Sequence, residues 1–230
     1  SYAAGLIGKA KIKVKKAGKK GLLGLKLEFI YKPDSLNIPM SEMAVKLEHC
    51  IFHAGIAGQY AQYARRVLQI LSDAEIRAHA SMHEHSQSHH HAAPMLHEAQ
   101  DILVDITGSA FALQSLNVFM ESVTCLSPVY TGGGFVTFSH GTFPVPSPAV
   151  EQVINACGIP VAAGPVDREL LTPTGVSILS ALDCKYEERN TSKTLVRHHG
   201  ILGAGFGMMK LPGNRPNAVL VHIFDNGDLK

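Results

Sequence analysis

The sequence predicts a mixed α/β (α+β) fold with four parts in order. These are an amino-terminal β-hairpin, an αα-hairpin, a His-rich loop, and a mixed sheet with packed helices. Three patterns support this prediction: period-two alternation near the amino terminus, helical apolar spacing at about 41–80, and two later Ser-Pro or Thr-Pro helix starts. We expect residues 1–230 to form one core domain, with 81–96 as a flexible His-rich loop.

The composition indicates an ordinary globular protein, with 46% hydrophobic and 17% charged residues. A net charge of +2 is too small to indicate nucleic acid or a membrane as the main partner. No apolar run approaches the roughly 18 residues of a membrane span. The four cysteines form no C-x-x-C pair, which favours a reducing compartment, and we expect a cytoplasmic protein.

Residues 9–20 and 22–31 alternate and predict an antiparallel hairpin. We expect its apolar face to cover one side of a core. The lysines of the first strand favour a solvated edge strand, with a phosphate cradle as the alternative. The apolar face of the second strand consists of Leu23, Leu25, Leu27, Phe29 and Tyr31.

Two helices follow and should pack as an αα-hairpin. Ser41 is the predicted N-cap of a helix that ends at about residue 56. Gly55 and Gly58 separate it from a second helix at about 59–80, which carries its own apolar stripe.

The segment from Ser81 to Pro94 lacks apolar periodicity and is dominated by Ser, His, Gln and Ala. Imidazole favours Zn, Cu, Fe and Ni, while the irregular spacing argues against a closed tetrahedral site. Metal binding is therefore the favoured interpretation, and incidental disorder is the alternative. The candidate metal ligands are His79, His83, His85, His89, His90, His91 and His97.

A helix predicted at about 97–117 places His97, Asp101 and Asp105 along one edge. The three side chains could converge on one cation, or the acids could simply favour the helix dipole. The sequence HEAQD also resembles weakly the H-E-x-x-H helix of zinc proteases, which leaves a metal-dependent hydrolase as an alternative function.

The second half alternates short strands with helices. Strands are predicted at 123–127, 135–138, 159–162, 194–202 and 217–224. Ser147 and Thr172 are the predicted N-caps of helices that begin with proline at N1 and end near residues 157 and 182. The start at Thr172 and Thr174 can hold an anion, with simple capping as the alternative.

Several blocks in this order resemble the nickel-insertion proteins of nickel-pincer nucleotide cofactor biosynthesis, called LarC. Together with the His-rich insert, the ordered set covers most of the chain from about residue 41. The blocks are AEIRAH (Ala74–His79), HEAQDILVDITG (His97–Gly108), SPVYTGGGFVTFSHGTFPVPSPA (Ser127–Ala149), ELLTPTGVSILSAL (Glu169–Leu182) and GAGFG to RPNAVLV (Gly203–Val221).

The chain also departs from the family pattern. The family's opening F-S-G-I-S-G-D-M motif and its C-terminal domain, associated with cytidine nucleotide use, are absent. Met95 stands in place of the first His of the family's H-x-H-E-V-G segment, and the stretch between Glu98 and Asp101 is about two residues shorter. We therefore expect a fragment or a truncated member.

The resemblance implies a nickel insertase of the lyase or chelatase type. It would deliver Ni(II) into pyridinium-3,5-bisthiocarboxylic acid mononucleotide, with dependence on CTP through the absent domain. The chemistry needs a base, for which the candidates are His97, Asp101, Asp105 and His140. Glu169, Thr172 and Thr174 are the candidates for binding the mononucleotide.

The implied partners are the unmetallated mononucleotide and the nickel-pincer-dependent racemase or epimerase that receives the finished cofactor. A homo-oligomer is compatible with the sequence. The alternative to insertion is a nickel storage or metallochaperone module without chemistry of its own.

Overall fold

A computed structural model describes residues 2–6, 11–30, 37–83, 95–96, 101–118, 123–138, 141–188 and 201–223, with the backbone alone at 82, 83, 201 and 202. Within these ranges the chain forms helices and strands in mixed sheets. This confirms the mixed α/β class. The single-domain organisation stays a prediction.

From α2 onward the described helices follow the predicted order, whereas the short helix α1 was not predicted. They are α1 (Tyr2–Leu6), α2 (Met40–His53), α3 (Gly58–His83), α4 (Ile102–Leu116), α5 (Pro148–Cys157) and α6 (Pro173–Ala181). The predicted cap at Ser41 was wrong, because α2 begins at Met40 and Pro39 occupies its N-cap position without a side-chain bond. The prolines at N1 of α5 and α6 are confirmed.

The described strands are β1 (Lys11–Lys19), β2 (Leu22–Ile30), β3 (Ile38–Pro39), β4 (Met95–Leu96), β5 (Thr124–Ser127), β6 (Val129–Gly132), β7 (Phe135–Phe138), β8 (Gly141–Pro144), β9 (Val161–Ala163), β10 (Lys185–Glu188), β11 (Ile201–Phe206) and β12 (Ala218–Ile223). Of these, β3, β4, β6, β8 and β10 were not predicted. The predicted loop 81–96 is shorter than expected, since its first residues complete α3 and its last two form β4, paired with β3.

The core is built mainly by helices, with α3 running through both of its parts. The predicted αα-hairpin of α2 and α3 is confirmed, and it packs with α4 and α6 around Met43, Leu47, Val67, Leu103 and Ile106, none more than 1% exposed. The later turns of α3 pack on α5 and α6 in a second cluster. None of the described helices is long and apolar enough to cross a membrane.

The amino-terminal hairpin is confirmed, since β1 and β2 pair antiparallel from Lys11 opposite Ile30 to Lys19 opposite Leu22. It extends into a four-stranded sheet in the order β1-β2-β11-β12, with β11 parallel to β2. The predicted end of β11 at residue 202 was wrong. The strand continues through Gly203–Phe206, which the sequence predicted as a connecting segment.

The expectation that the leucine face of the hairpin covers a core was wrong. Leu23, Leu25 and Leu27 are 78%, 53% and 56% exposed. The helices bury their apolar stripes against one another, and the principal described contact between the sheet and the helices is that of β1 with the short helix α1. Among the described residues, the sheet is therefore left with one open apolar face.

Candidate functional site

A cavity of about 210 Å³ lies where α3, the start of α4, β7, and the starts of α5 and α6 meet. It brings together five side chains predicted as site residues from sequence: His79, Asp101, Glu169, Thr172 and Thr174. It adds three polar side chains that were not predicted: Glu75, Thr137 and Ser147. The cavity therefore unites segments separated by about a hundred residues of sequence.

Helix α3 supplies Glu75 and His79, which lie one turn apart and therefore on the same face. The neighbouring Ala74 and Ala78 are each 2% exposed in the second core cluster, and this fixes the rotation of the helix. Burial raises the pKa of Glu75 to about 7. Glu75 was not predicted, although its four-residue spacing from His79 could have placed the two side chains on one face.

The predicted start of α4 at about residue 97 was wrong, because the helix begins at Ile102 and Asp101 is its N-cap. The Asp101 backbone carbonyl accepts a hydrogen bond from Asp105 N at 2.9 Å, while the Asp101 side chain makes no capping bond and lines the cavity. Desolvation raises the pKa of the Asp101 carboxyl. The N-cap carboxylate is thus available to the cavity.

Asp105 lies one turn further along α4 and is not among the residues that line the cavity. Its side chain keeps contact with solvent. Desolvation by the surrounding protein, followed by the negative charge of Asp101, nevertheless raises the pKa of Asp105 to about 7. The two aspartates therefore interact electrostatically, as their spacing predicts, but only Asp101 reaches the cavity.

Glu169 is held by a hydrogen bond from the buried Ser147 hydroxyl, at 2.8 Å from Ser147 Oγ to Glu169 Oε1. Ser147 occupies the predicted N-cap position of α5, yet it makes no capping bond and turns to Glu169 instead. Desolvation raises the pKa of Glu169, and the Ser147 hydrogen bond opposes this rise. The N-cap pattern in the sequence identified Ser147, but it did not indicate that Ser147 would bond to Glu169.

The glycine segment after β6 fixes the backbone on either side of Glu169. Thr131 O accepts from Leu170 N at 2.9 Å, Gly133 N donates to Arg168 O at 3.3 Å, and Gly132 pairs with Glu169 in an isolated bridge. A Cβ at Gly132 would collide with the Arg168 carbonyl. Position 132 therefore requires glycine. The close packing of Gly132 against this backbone helps to place the Glu169 carboxyl.

The start of α6 shows the capping that the sequence allowed as an alternative. Gly175 N donates to Thr172 Oγ1 at 3.2 Å. Thr172 and Thr174 both line the cavity, and anion binding by this helix start stays a prediction.

The predicted metal ligands fall largely outside the described residues. His85, His89, His90, His91 and His97 lie there, as does His140, which was predicted as a base, and His83 is described through its backbone alone. Within the described ranges, no three His, Cys, Asp or Glu side chains lie close enough together to hold a metal ion. The predicted ligand set is therefore not tested, and His79 is the one member whose side chain is placed at the cavity.

The described lining of the cavity carries three carboxylates and one imidazole, and it includes neither lysine nor arginine. Taking an isolated carboxylate out of water is costly, and the raised pKa values of the partly buried Glu75 and Glu169 express this cost. A bound cation would lower it. The charge of the described lining thus favours a cation over a free anion.

Replacement of Ser147 by Ala tests the support of Glu169. We expect a loss of about 1.5–3 kcal/mol in the free energy of unfolding at alkaline pH, where a charged acceptor loses its donor, and about 1 kcal/mol at acidic pH. Denaturant unfolding at both pH values measures this difference. The matched control is Ser180→Ala, which removes a bond to the neutral Val176 carbonyl. An equal pH dependence in the two variants would contradict this role of Ser147.

Comparisons with known proteins find relatives over most of this chain. The chain is 35% identical to a protein of Methanococcoides burtonii over 174 residues, which are 75% of this chain and 39% of the relative. It is 35% identical to a protein of Gloeobacter violaceus over 161 residues, which are 69% of this chain and 34% of the relative. Both relatives carry the provisional name nickel insertion protein.

A third relative with this provisional name, from Methanothermobacter thermautotrophicus, is 32% identical over 178 residues, which are 77% of this chain and 40% of that protein. The chain thus spans about two fifths of the length of these relatives. No solved structure matches it. The sequence profile described as "Nickel insertion protein" matches residues 2–229, and the chain therefore belongs to the nickel insertion protein family.

Proposed function

We propose that this chain binds Ni(II) as a substrate and delivers it into pyridinium-3,5-bisthiocarboxylic acid mononucleotide, forming the nickel-pincer cofactor. In this proposal the reaction depends on CTP, is of the lyase or chelatase type and takes place in the cytoplasm. The finished cofactor passes to a racemase or epimerase. Family membership supports the nickel-insertion role, and the resemblance of the residue blocks to LarC supports the substrate.

One observation carries the proposal: both ends of the His-rich insert meet the cavity. Helix α3 places His79 in the cavity lining and ends at His83, while the chain re-enters the described structure at β4, where Leu96 lines the same cavity. In this proposal the imidazoles of 84–94 collect the nickel ion and pass it to Glu75, Asp101 and Glu169. A delivery protein must bind nickel weakly enough to release it, and it must hold the ion close to the molecule that receives it.

The chemistry of insertion asks for a proton acceptor. A carbon–nickel bond forms at the pyridinium ring as the ring C–H loses its proton, so charge is balanced by one proton released for each nickel bound. A carboxylate whose pKa lies near neutral pH is suited to accept that proton. Glu75 meets this condition, and Asp101, Asp105, His97 and His140 remain candidates from the sequence.

The cavity accommodates only part of the mononucleotide. Its volume of about 210 Å³ lies below the roughly 300–1,000 Å³ of pockets that enclose whole ligands of drug size. We propose that the metal-receiving ring faces the carboxylates of α3 and α4, and that the phosphate lies toward Thr172 and Thr174 at the start of α6.

Replacement of residues 84–93 by a Gly/Ser segment of equal length tests the delivery role. We expect the amount of nickel bound per chain to fall, and nickel incorporation into the unmetallated mononucleotide with CTP to fall about tenfold or more. Mass spectrometry of the cofactor and metal analysis of the protein measure the two quantities. The matched control keeps every histidine and replaces only the other residues of the segment.

The same experiment separates insertion from storage. Nickel binding by the chain without incorporation, where a full-length relative with the same substrates gives incorporation, would contradict the proposal for this chain and favour a storage module. Unchanged incorporation after loss of the histidines would contradict the collecting role of the insert.

A further inference from the structure

The four-stranded sheet presents one apolar face that the described chain leaves open. The pairing registers place Val14, Leu23, Leu25, Leu27, Val219 and Val221 on the same face. Each of these side chains is at least half exposed. Monomeric proteins rarely leave a continuous apolar patch of this kind uncovered.

Glycines alternate with the large side chains across this face. At one level of the sheet the neighbouring residues are Gly18, Leu23, Gly203 and Val221, and at the next level Leu25 lies beside Gly205 and Val219. The face is therefore a ridge of leucines from β2 beside a trough along β11. Ridge and trough are about 4.8 Å apart, the spacing of adjacent strands.

The packing of the described residues does not explain the two glycines of the trough. A Cβ at Gly205 would meet nothing within 4 Å, and one at Gly203 would make only an ordinary contact at 3.9 Å. Neither residue has a positive φ. Glycine inside a strand weakens it and often marks a place where another chain approaches closely.

We propose that this face binds the same face of a second copy of the chain. A two-fold axis parallel to the strands, between β2 and β11, places Leu23 and Leu25 of one copy over Gly203 and Gly205 of the other. The same operation sets Val221 over Gly18. Each contact then occurs twice, as an isologous dimer requires, and the two sheets form a sandwich about 10 Å thick.

Charge selects this axis over the alternative. An axis across the strands would stack β1 on β1 and bring Lys16 of each copy together on the shared face. The axis along the strands instead places the two lysine-bearing β1 strands on opposite sides of the sandwich, where the long stem of Lys16 extends to solvent. Like charges then stay apart.

The size of the face fits a reversible dimer. Four strands of six to nine residues cover roughly 20 by 25 Å. Two such faces together bury on the order of 1,000 Å², which is at the low end for specific interfaces. The dimer should therefore dissociate on dilution.

Sedimentation velocity of the full chain over a wide concentration range tests the dimer. We expect the wild-type mass to rise from 24.7 kDa toward twice that value. Leu25→Glu on the ridge and Gly205→Leu in the trough should each raise the dissociation constant on the order of 100-fold, because every substitution acts twice. Circular dichroism confirms that each variant is folded.

Leu220→Glu is the matched control. Leu220 is 54% exposed, almost the same as Leu25, but the register places it on the opposite face of the sheet. Its dissociation constant should stay within about twofold of wild type. A wild-type chain that stays monomeric throughout, or a Leu220→Glu effect as large as that of Leu25→Glu, would overturn the proposal. A folded Gly205→Leu variant that dimerises like wild type would overturn it too.

Discussion

Gly132→Ala should lower the free energy of unfolding by roughly 3 kcal/mol or more, whereas Gly133→Ala should cost less than about 1 kcal/mol. Gly132 has φ of +92°, a conformation that alanine adopts only with strain. Gly133 lies in an ordinary conformation, and a Cβ there would approach Val166 O at 3.3 Å. The two adjacent glycines thus differ in both conformation and space.

The clash at Gly132 cannot be relieved cheaply. A new Cβ would collide with the Arg168 carbonyl and lie 2.9 Å from Leu170 N, and both are backbone atoms. Moving them would break the bonds of Leu170 N to Thr131 O at 2.9 Å and of Gly133 N to Arg168 O at 3.3 Å. Denaturant unfolding of both variants measures the difference. Equal losses would show that this backbone is less constrained than its contacts indicate.

Gly132 also links stability to the site. Its bridge partner is Glu169, so a Gly132→Ala variant that still folds must move the carboxyl that Ser147 holds in the cavity. The triple glycine of SPVYTGGGF thus packs the backbone that carries Glu169. A glycine-rich loop in sequence alone gives no means of distinguishing that role from ligand binding.

The helices were predictable because local rules determine them. Proline at N1 after Ser147 or Thr172, together with apolar spacing in α3, fixes type and position from a few adjacent residues. The open leucine face of β2 was not predictable. Period-two alternation shows which residues share a face, but whether a helix covers that face is decided by the tertiary packing.

The site shows the same division. Residue type and spacing identified His79, Asp101, Thr172 and Thr174, and the resemblance identified Glu169; all five reach one cavity. Glu75 was missed because it becomes informative only when the packing of Ala74 and Ala78 against α5 and α6 turns it inward. A carboxylate on an amphipathic helix otherwise indicates a solvated face.

Glu75→Gln should make the metal-free protein more stable at about pH 8 by about 1–3 kcal/mol. The folded-state pKa of Glu75, at about 7, lies above the ordinary value of 4.5. Between these two values the folded state binds more protons than the unfolded state, so stability falls as pH rises, and above pH 7 the full penalty is present. Glutamine removes the charge and with it the penalty.

The gain should shrink to less than about 0.5 kcal/mol at pH 4.5, where the folded carboxyl is already protonated. Denaturant unfolding at the two pH values measures it. Glu187→Gln, at an exposed position on β10, is the matched control and should change stability by less than about 0.5 kcal/mol at both. A Glu75→Gln variant that is less stable than wild type at pH 8 would show that the carboxylate is favourably solvated or paired.

The same variant should lose nickel incorporation by roughly 100-fold, because glutamine can neither accept the ring proton nor attract the metal. If Glu75 serves the reaction, its replacement should raise stability and lower activity together. A carboxylate with a purely structural role would not be expected to lower stability. Full incorporation by a stabilised Glu75→Gln variant would remove Glu75 from the reaction. The receiving role would then pass to Asp101 and Glu169, the other carboxylates of the cavity.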